Sequence, residues 1–81
     1  MGNKTKVYAI ALMADEAKRY AKKVKELGEN TGYLGVNVHY PFLLVLYRSR
    51  EDQAKGFKEF EKVFNCTWIN KVGYANIPDK N

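Results

Sequence analysis

The sequence predicts an α+β domain, a four-stranded antiparallel sheet with two helices on one face. Two observations carry this reading. Four short runs are either continuously apolar or alternate apolar with polar, as strands do, and two longer runs repeat apolar residues every three or four positions, as helices do. Read along the chain, they follow the order strand, helix, strand, strand, helix, strand. At 81 residues there is room for one compact core, so the chain reads as a single domain, 1–81, with its core about 5–76 and short frayed termini. A hydrophobic fraction of 46% separates it from charge-dominated, disordered sequences.

The first strand is the apolar run Val7 to Met13, which follows the polar segment Met1–Lys6. It is too short to span a bilayer and no small-residue cleavage site follows it. Ala14-Asp15-Glu16 then brings carboxylates that suit the positive end of a helix dipole, with Asp15 as the expected cap. Ala17, Tyr20, Ala21, Val24 and Leu27 share one helical face, and Gly28 is the expected C-terminal stop. Glu29–Gly32 reads as a turn.

Tyr33 to Tyr40 alternates, which predicts a strand with Leu34, Val36, Val38 and Tyr40 on a buried side and Tyr33, Gly35, Asn37 and His39 opposite. Pro41 interrupts ladder bonding and places Tyr40-Pro41 at a tight hairpin turn or a strand edge before the third strand, Phe42–Tyr47. Ser49 with Asp52 three residues later is a capping-box pattern that opens the second helix. Its buried face is expected to carry Ala54, Phe57, Phe60 and Phe64, with Val63 beside them. Asn65 is the expected stop, and Cys66–Ala75, with Trp68, Ile69, Val72 and Tyr74, the last strand. The tail from Asn76 is expected to fray.

This order resembles the split βαβ pattern (βαββαβ) of ferredoxin-like domains. The resemblance implies the first and third strands at the sheet centre and both helices on one face. It implies no activity, because that fold hosts many unrelated ones.

Two helices cover one face of such a sheet, so a monomer needs polar residues on the other. Here both parities of the central strands are apolar: Val7, Ala9 and Ala11 alternate with Tyr8, Ile10 and Leu12, and Phe42, Leu44 and Leu46 with Leu43, Val45 and Tyr47. One set is left uncovered. The set Tyr8, Ile10, Leu43, Val45 and Tyr47 is assigned to that partner-binding or dimer face, with a homodimer as its simplest cover; the alternative is a short, strongly twisted sheet over which the terminal segment folds.

Fourteen Lys and Arg against nine Asp and Glu give a net charge of +5, which favours acidic partners. The first helix carries five cations within eight positions, Lys18, Arg19, Lys22, Lys23 and Lys25. Arg48 and Arg50 flank the start of the second helix, where cations oppose the dipole. Lys18, Arg19, Lys22, Lys23, Arg48 and Arg50 therefore form the expected basic partner-binding face.

Catalytic chemistry has little to stand on. One histidine, His39, and one distant cysteine, Cys66, make no zinc spacing. Cys66 follows a helix C-terminus, where the dipole opposes a thiolate. The pairs Asp15/Glu16 and Glu51/Asp52 are explained by helix starts, and no phosphate-cradling glycine loop or dinucleotide fingerprint is present. No catalytic residue, metal or cofactor is assigned. The lone thiol suits a reducing, cytoplasmic compartment.

The expectation is a small non-enzymatic binding module that acts by occupancy on a protein with an acidic or apolar surface, with no membrane partner. In size and character the chain is similar to the small accessory proteins carried by phages and mobile elements, many of which inhibit host proteins such as nucleases. The alternative is a nucleic-acid binder that uses the basic face for phosphates and Tyr8 or Tyr47 for stacking. Its third strand lacks the basic-glycine-aromatic pattern of RNA-recognition domains. A third reading is a small dimeric enzyme with a pocket between subunits.

Overall fold

A computed structural model describes residues 4–78. The elements are β1 (Lys4–Met13), α1 (Ala14–Arg19), α2 (Ala21–Asn30), β2 (Gly35–His39), β3 (Phe42–Tyr47), α3 (Arg50–Glu61) and β4 (Ile69–Pro78). The strands form one antiparallel sheet in the order β2-β3-β1-β4, which puts β1 and β3 at its centre. Residues 1–3 and 79–81, where fraying was expected, lie outside the described residues, and Asn76–Pro78 belongs to β4.

The single first helix expected from periodicity is two segments. Tyr20 breaks the helix at φ −116° and ψ 40°, and its ring stands edge-on to Phe64 at 5.7 Å between centroids. Asp15 is not the cap. Met13 holds that position with no side-chain bond, and the Ala14 N–H is satisfied by the Pro41 carbonyl at 2.9 Å, so tertiary contact does the work of a cap. Asp15 stays in the first turn, where the dipole favours it.

Gly28 is not the stop either. It lies inside α2, and a Cβ there would come within 2.6 Å of the Tyr33 ring, so glycine is needed for close approach. The stop falls at Thr31, whose hydroxyl donates to the Leu27 carbonyl at 2.7 Å, and Gly32, at φ +75°, makes the left-handed turn. Ser49 caps the helix as expected: the Asp52 N–H donates to Ser49 Oγ at 3.1 Å. α3 ends at Glu61, ahead of Asn65. Asn65 instead organises a turn, its Oδ1 accepting from both the N–H and the hydroxyl of Thr67 at 2.9 Å, which is why the last strand begins at Ile69 and not at Cys66.

One core joins the layers. Ile10 and Leu12 of β1, Val45 and Tyr47 of β3, and Ile69 of β4 pack with Ala17, Val24 and Leu27 from the first two helices and Phe60 and Phe64 from the third segment. The register Ile10↔Val45 and Leu12↔Leu43 places these strand residues on one face. The buried face of α3 includes Gln53 and not the expected Ala54. Ala54 and Val63 are exposed. Gln53 Nε2 donates to the carbonyls of Ala9 at 2.7 Å and Val72 at 2.8 Å, beside the bulge where the β1–β4 register shifts between Tyr8 and Ala9. A buried amide is tolerable there because it meets backbone acceptors.

Tyr47 sits beneath α3 and the end of α2. Its hydroxyl is 2.7 Å from that of Thr31, and a Cβ at Gly56 would run into its ring and hydroxyl. Burial pushes the Tyr47 phenol above its ordinary 10.0, with Asp52 and Tyr33 adding to the rise and the Thr31 bond opposing it.

Two outcomes follow. Phe60 is fully buried, so Phe60→Ala is expected to cost about 3–5 kcal/mol in urea unfolding; a loss under ~1 kcal/mol contradicts its place in the core. Because the phenol of Tyr47 ionises less readily folded than unfolded, its contribution is fully present below pH 10.0 and is lost as pH rises through the folded value. Unfolding titrations across that range are expected to show declining stability, with a shallower decline in Tyr47→Phe.

Candidate binding groove

The edge strand β2 follows the alternation read from sequence, but its apolar side is not buried. The register Val36↔Val45 and Val38↔Leu43 puts Val36 and Val38 on the helix-bearing face. α1 packs chiefly on β1 and β3 and stops short of the edge. Val36 is therefore 48% exposed, Val38 67% and Tyr40 74%. The expectation that Leu34, Val36, Val38 and Tyr40 are buried is corrected, because the alternation is real and the cover is missing.

The result is an apolar groove of about 680 Å³. Ala14, Ala17, Ala21 and Val24 form its helical wall, and Tyr33, Val36, Val38, Tyr40 and Leu43 form its strand side. Small residues at helical spacing keep that wall low, so the groove stays open between helix and strand. Its charged rim is Asp15, Lys18 and Lys25.

The basic residues of the first helix separate into two groups. Arg19 lies 4.0 Å from Glu16, whose carboxylate is largely covered, and Lys23 3.0 Å from Glu26 in an exposed pair within one helix that is worth little to stability. Lys18 and Lys25 form no ion pair among the described residues and border the groove. Lys22 is exposed on the same helix but does not line it. Arg48 is exposed beyond β3. Arg50 stands 5.9 Å from the centroid of the Tyr8 ring, a cation–π contact that accounts for its place at a helix start.

The assigned sheet-face residues lie on the opposite side from that expected. Ile10, Val45 and Tyr47 are fully buried beneath the helices, Leu43 is partly buried against the same core, and Tyr8 pairs with Tyr47 across the strands. Tyr47 is thus unavailable for base stacking. Sequence could not choose between the parities because both are apolar. The open face carries the other set, Val7, Ala9 and Ala11 on β1 with Phe42, Leu44 and Leu46 on β3. Along it Met13, Phe42, Trp68 and Val72 remain more than a third exposed.

His39 and Cys66 are both exposed and lie on separate elements. Among the described residues no three His, Cys, Asp or Glu side chains gather to hold a metal ion, and no helix is long and apolar enough to cross a membrane. The class defined by this architecture is a small α+β protein with an apolar groove along an open sheet edge. Comparison with known proteins finds no matching family model, curated protein or solved structure.

Proposed function

We propose that the protein is a small binding module that acts by occupancy, holding an acidic, partly apolar segment of a partner protein in the groove between α1–α2 and β2. The observation that carries this reading is the exposure of Val36, Val38 and Tyr40 opposite a wall of alanines, rimmed by Lys18 and Lys25, which form no ion pair among the described residues. Apolar contact supplies affinity in such an arrangement, and the lysines supply steering and choice of partner. Taking α1 and α2 together as one interrupted helix, we read the strand order as the split βαβ arrangement of ferredoxin-like domains. Small size and a charge of +5 support a role like that of a phage- or mobile-element-type inhibitor of a host protein such as a nuclease, and the free thiol of Cys66 suits the cytoplasm.

The test compares two double reversals. Against the partner recovered from the host by affinity purification, with a nuclease-treated sample in parallel, Lys18→Glu with Lys25→Glu is expected to weaken binding about tenfold, roughly 1.4 kcal/mol. Arg19→Glu with Lys23→Glu is expected to change it far less. Equal losses from both pairs point to general attraction, and loss of the partner on nuclease treatment together with a steep salt dependence points to nucleic acid.

The open sheet face favours a second reading, self-association. Phe42 and Val72 are each 39% exposed, with Met13 and Trp68 at 37%, and Leu44 and Leu46 lie half-buried among them, an apolar surface of the kind that marks interfaces. Sedimentation over a range of concentrations is expected to show a dimer that Leu44→Lys converts to monomer. A monomer at every concentration removes this reading and leaves the groove unaffected.

A further inference from the structure

We infer that the segment held by the groove is an extended, acidic strand of about five residues that joins β2 as a fifth strand of the sheet. This rests on the groove being the binding site and adds how it is filled. The sheet has two edges, and they are protected unequally. Natural edges are guarded by charge, proline, bulges or cover. β4 carries Lys71 and the register shift opposite Tyr8 and Ala9. β2, Gly-Val-Asn-Val-His, carries no Lys, Arg, Asp, Glu or Pro and pairs with its one neighbour in unbroken register from Gly35↔Leu46 to His39↔Phe42. Its outer backbone groups have no partner strand among the described residues, and its helix-side valines are exposed.

Length and side-chain direction fit a strand. β2 has five residues, which at ~3.3 Å each run about 16 Å. The helical wall from Ala14 to Lys25 runs a similar length at ~1.5 Å per residue. A strand added beside β2 turns alternate side chains toward that wall, where Ala17, Ala21 and Val24 leave room for apolar groups. Lys25 and Lys18 stand over the same side, with Asp15 at the Ala14 end. This charge order asks for carboxylates toward the Lys25 end.

Charge also decides between partner and copy. A second molecule pairing through its own β2 brings no carboxylate to these lysines, because Gly35–His39 contains none, and it approaches with the same net charge of +5. A foreign acidic segment meets both requirements.

The test selects a displayed library of short random peptides on the folded full-length protein and then follows backbone amide exchange with the recovered peptides. Peptides that alternate apolar side chains and carry acidic residues are expected, together with slowing of exchange across residues 35–39 by about tenfold or more. Binding is expected to be lost in Val38→Glu and in Ala21→Trp, which fills the groove from the helical wall without touching the strand. Both sites are exposed, and circular dichroism checks that each variant is folded. Peptides lost in these variants but with apolar residues every three or four positions, or with exchange at 35–39 unchanged, overturn strand addition and leave the groove reading standing. Recovered peptides that are basic overturn the acidic occupant. No enrichment over Val38→Glu overturns the groove itself. Protection of 35–39 that grows with protein concentration in the absence of peptide replaces the foreign segment with a second copy.

Discussion

Tyr47 is the residue on which α2 and α3 are seated, and its position fixes most of what surrounds it. Its ring fills the space beneath α3 that only a glycine at position 56 leaves free, while its hydroxyl reaches Thr31 at the end of α2. A large side chain with one polar atom is stable in a core only if that atom finds a partner. The Thr31 hydroxyl provides one, and in doing so it ties the end of the first helical layer to the third strand. With Tyr47 turned inward, strand alternation commits Val45 and Leu43 to the same side, and pairing commits Ile10 and Leu12 with them.

That commitment leaves two apolar regions without cover, for different reasons. The open face is uncovered by helices because they pack on the other side; Val7, Ala9 and Ala11 on it are nonetheless buried. The groove is uncovered because α1 settles on the central strands and does not reach β2. The first is broad and carries large side chains along its border. The second is narrow, bordered by Lys18 and Lys25, which form no ion pair among the described residues, and by a strand edge with no partner strand among them.

Polar groups hold the rest of the frame. Gln53 bridges β1 and β4 at the bulge, so α3 is held to the sheet by hydrogen bonds as well as by Phe60 and Phe64. The Pro41 carbonyl receives the Ala14 N–H, joining the hairpin to the start of α1. That contact lies beside the groove, which Ala14 and Tyr40 line together with Tyr33 and Val24.

The sequence by itself determined the α+β class, the four strands, the Ser49 cap of α3 and the burial of Phe60, because each depends on local periodicity or on a hydrogen bond spanning three residues. It also marked the basic helix face and the surplus of apolar residues on the central strands. Only the tertiary structure decided which parity turned inward, since Tyr8, Ile10, Val45 and Tyr47 are no more apolar in pattern than the set between them. It likewise decided that Gly28 serves packing against Tyr33 and not helix termination, and that Gln53 is buried, for both depend on atoms distant along the chain. The groove was legible only in half: the alternation of Val36, Val38 and Tyr40 is written in the sequence, but whether a helix lies over them is settled by where α1 finds its best packing.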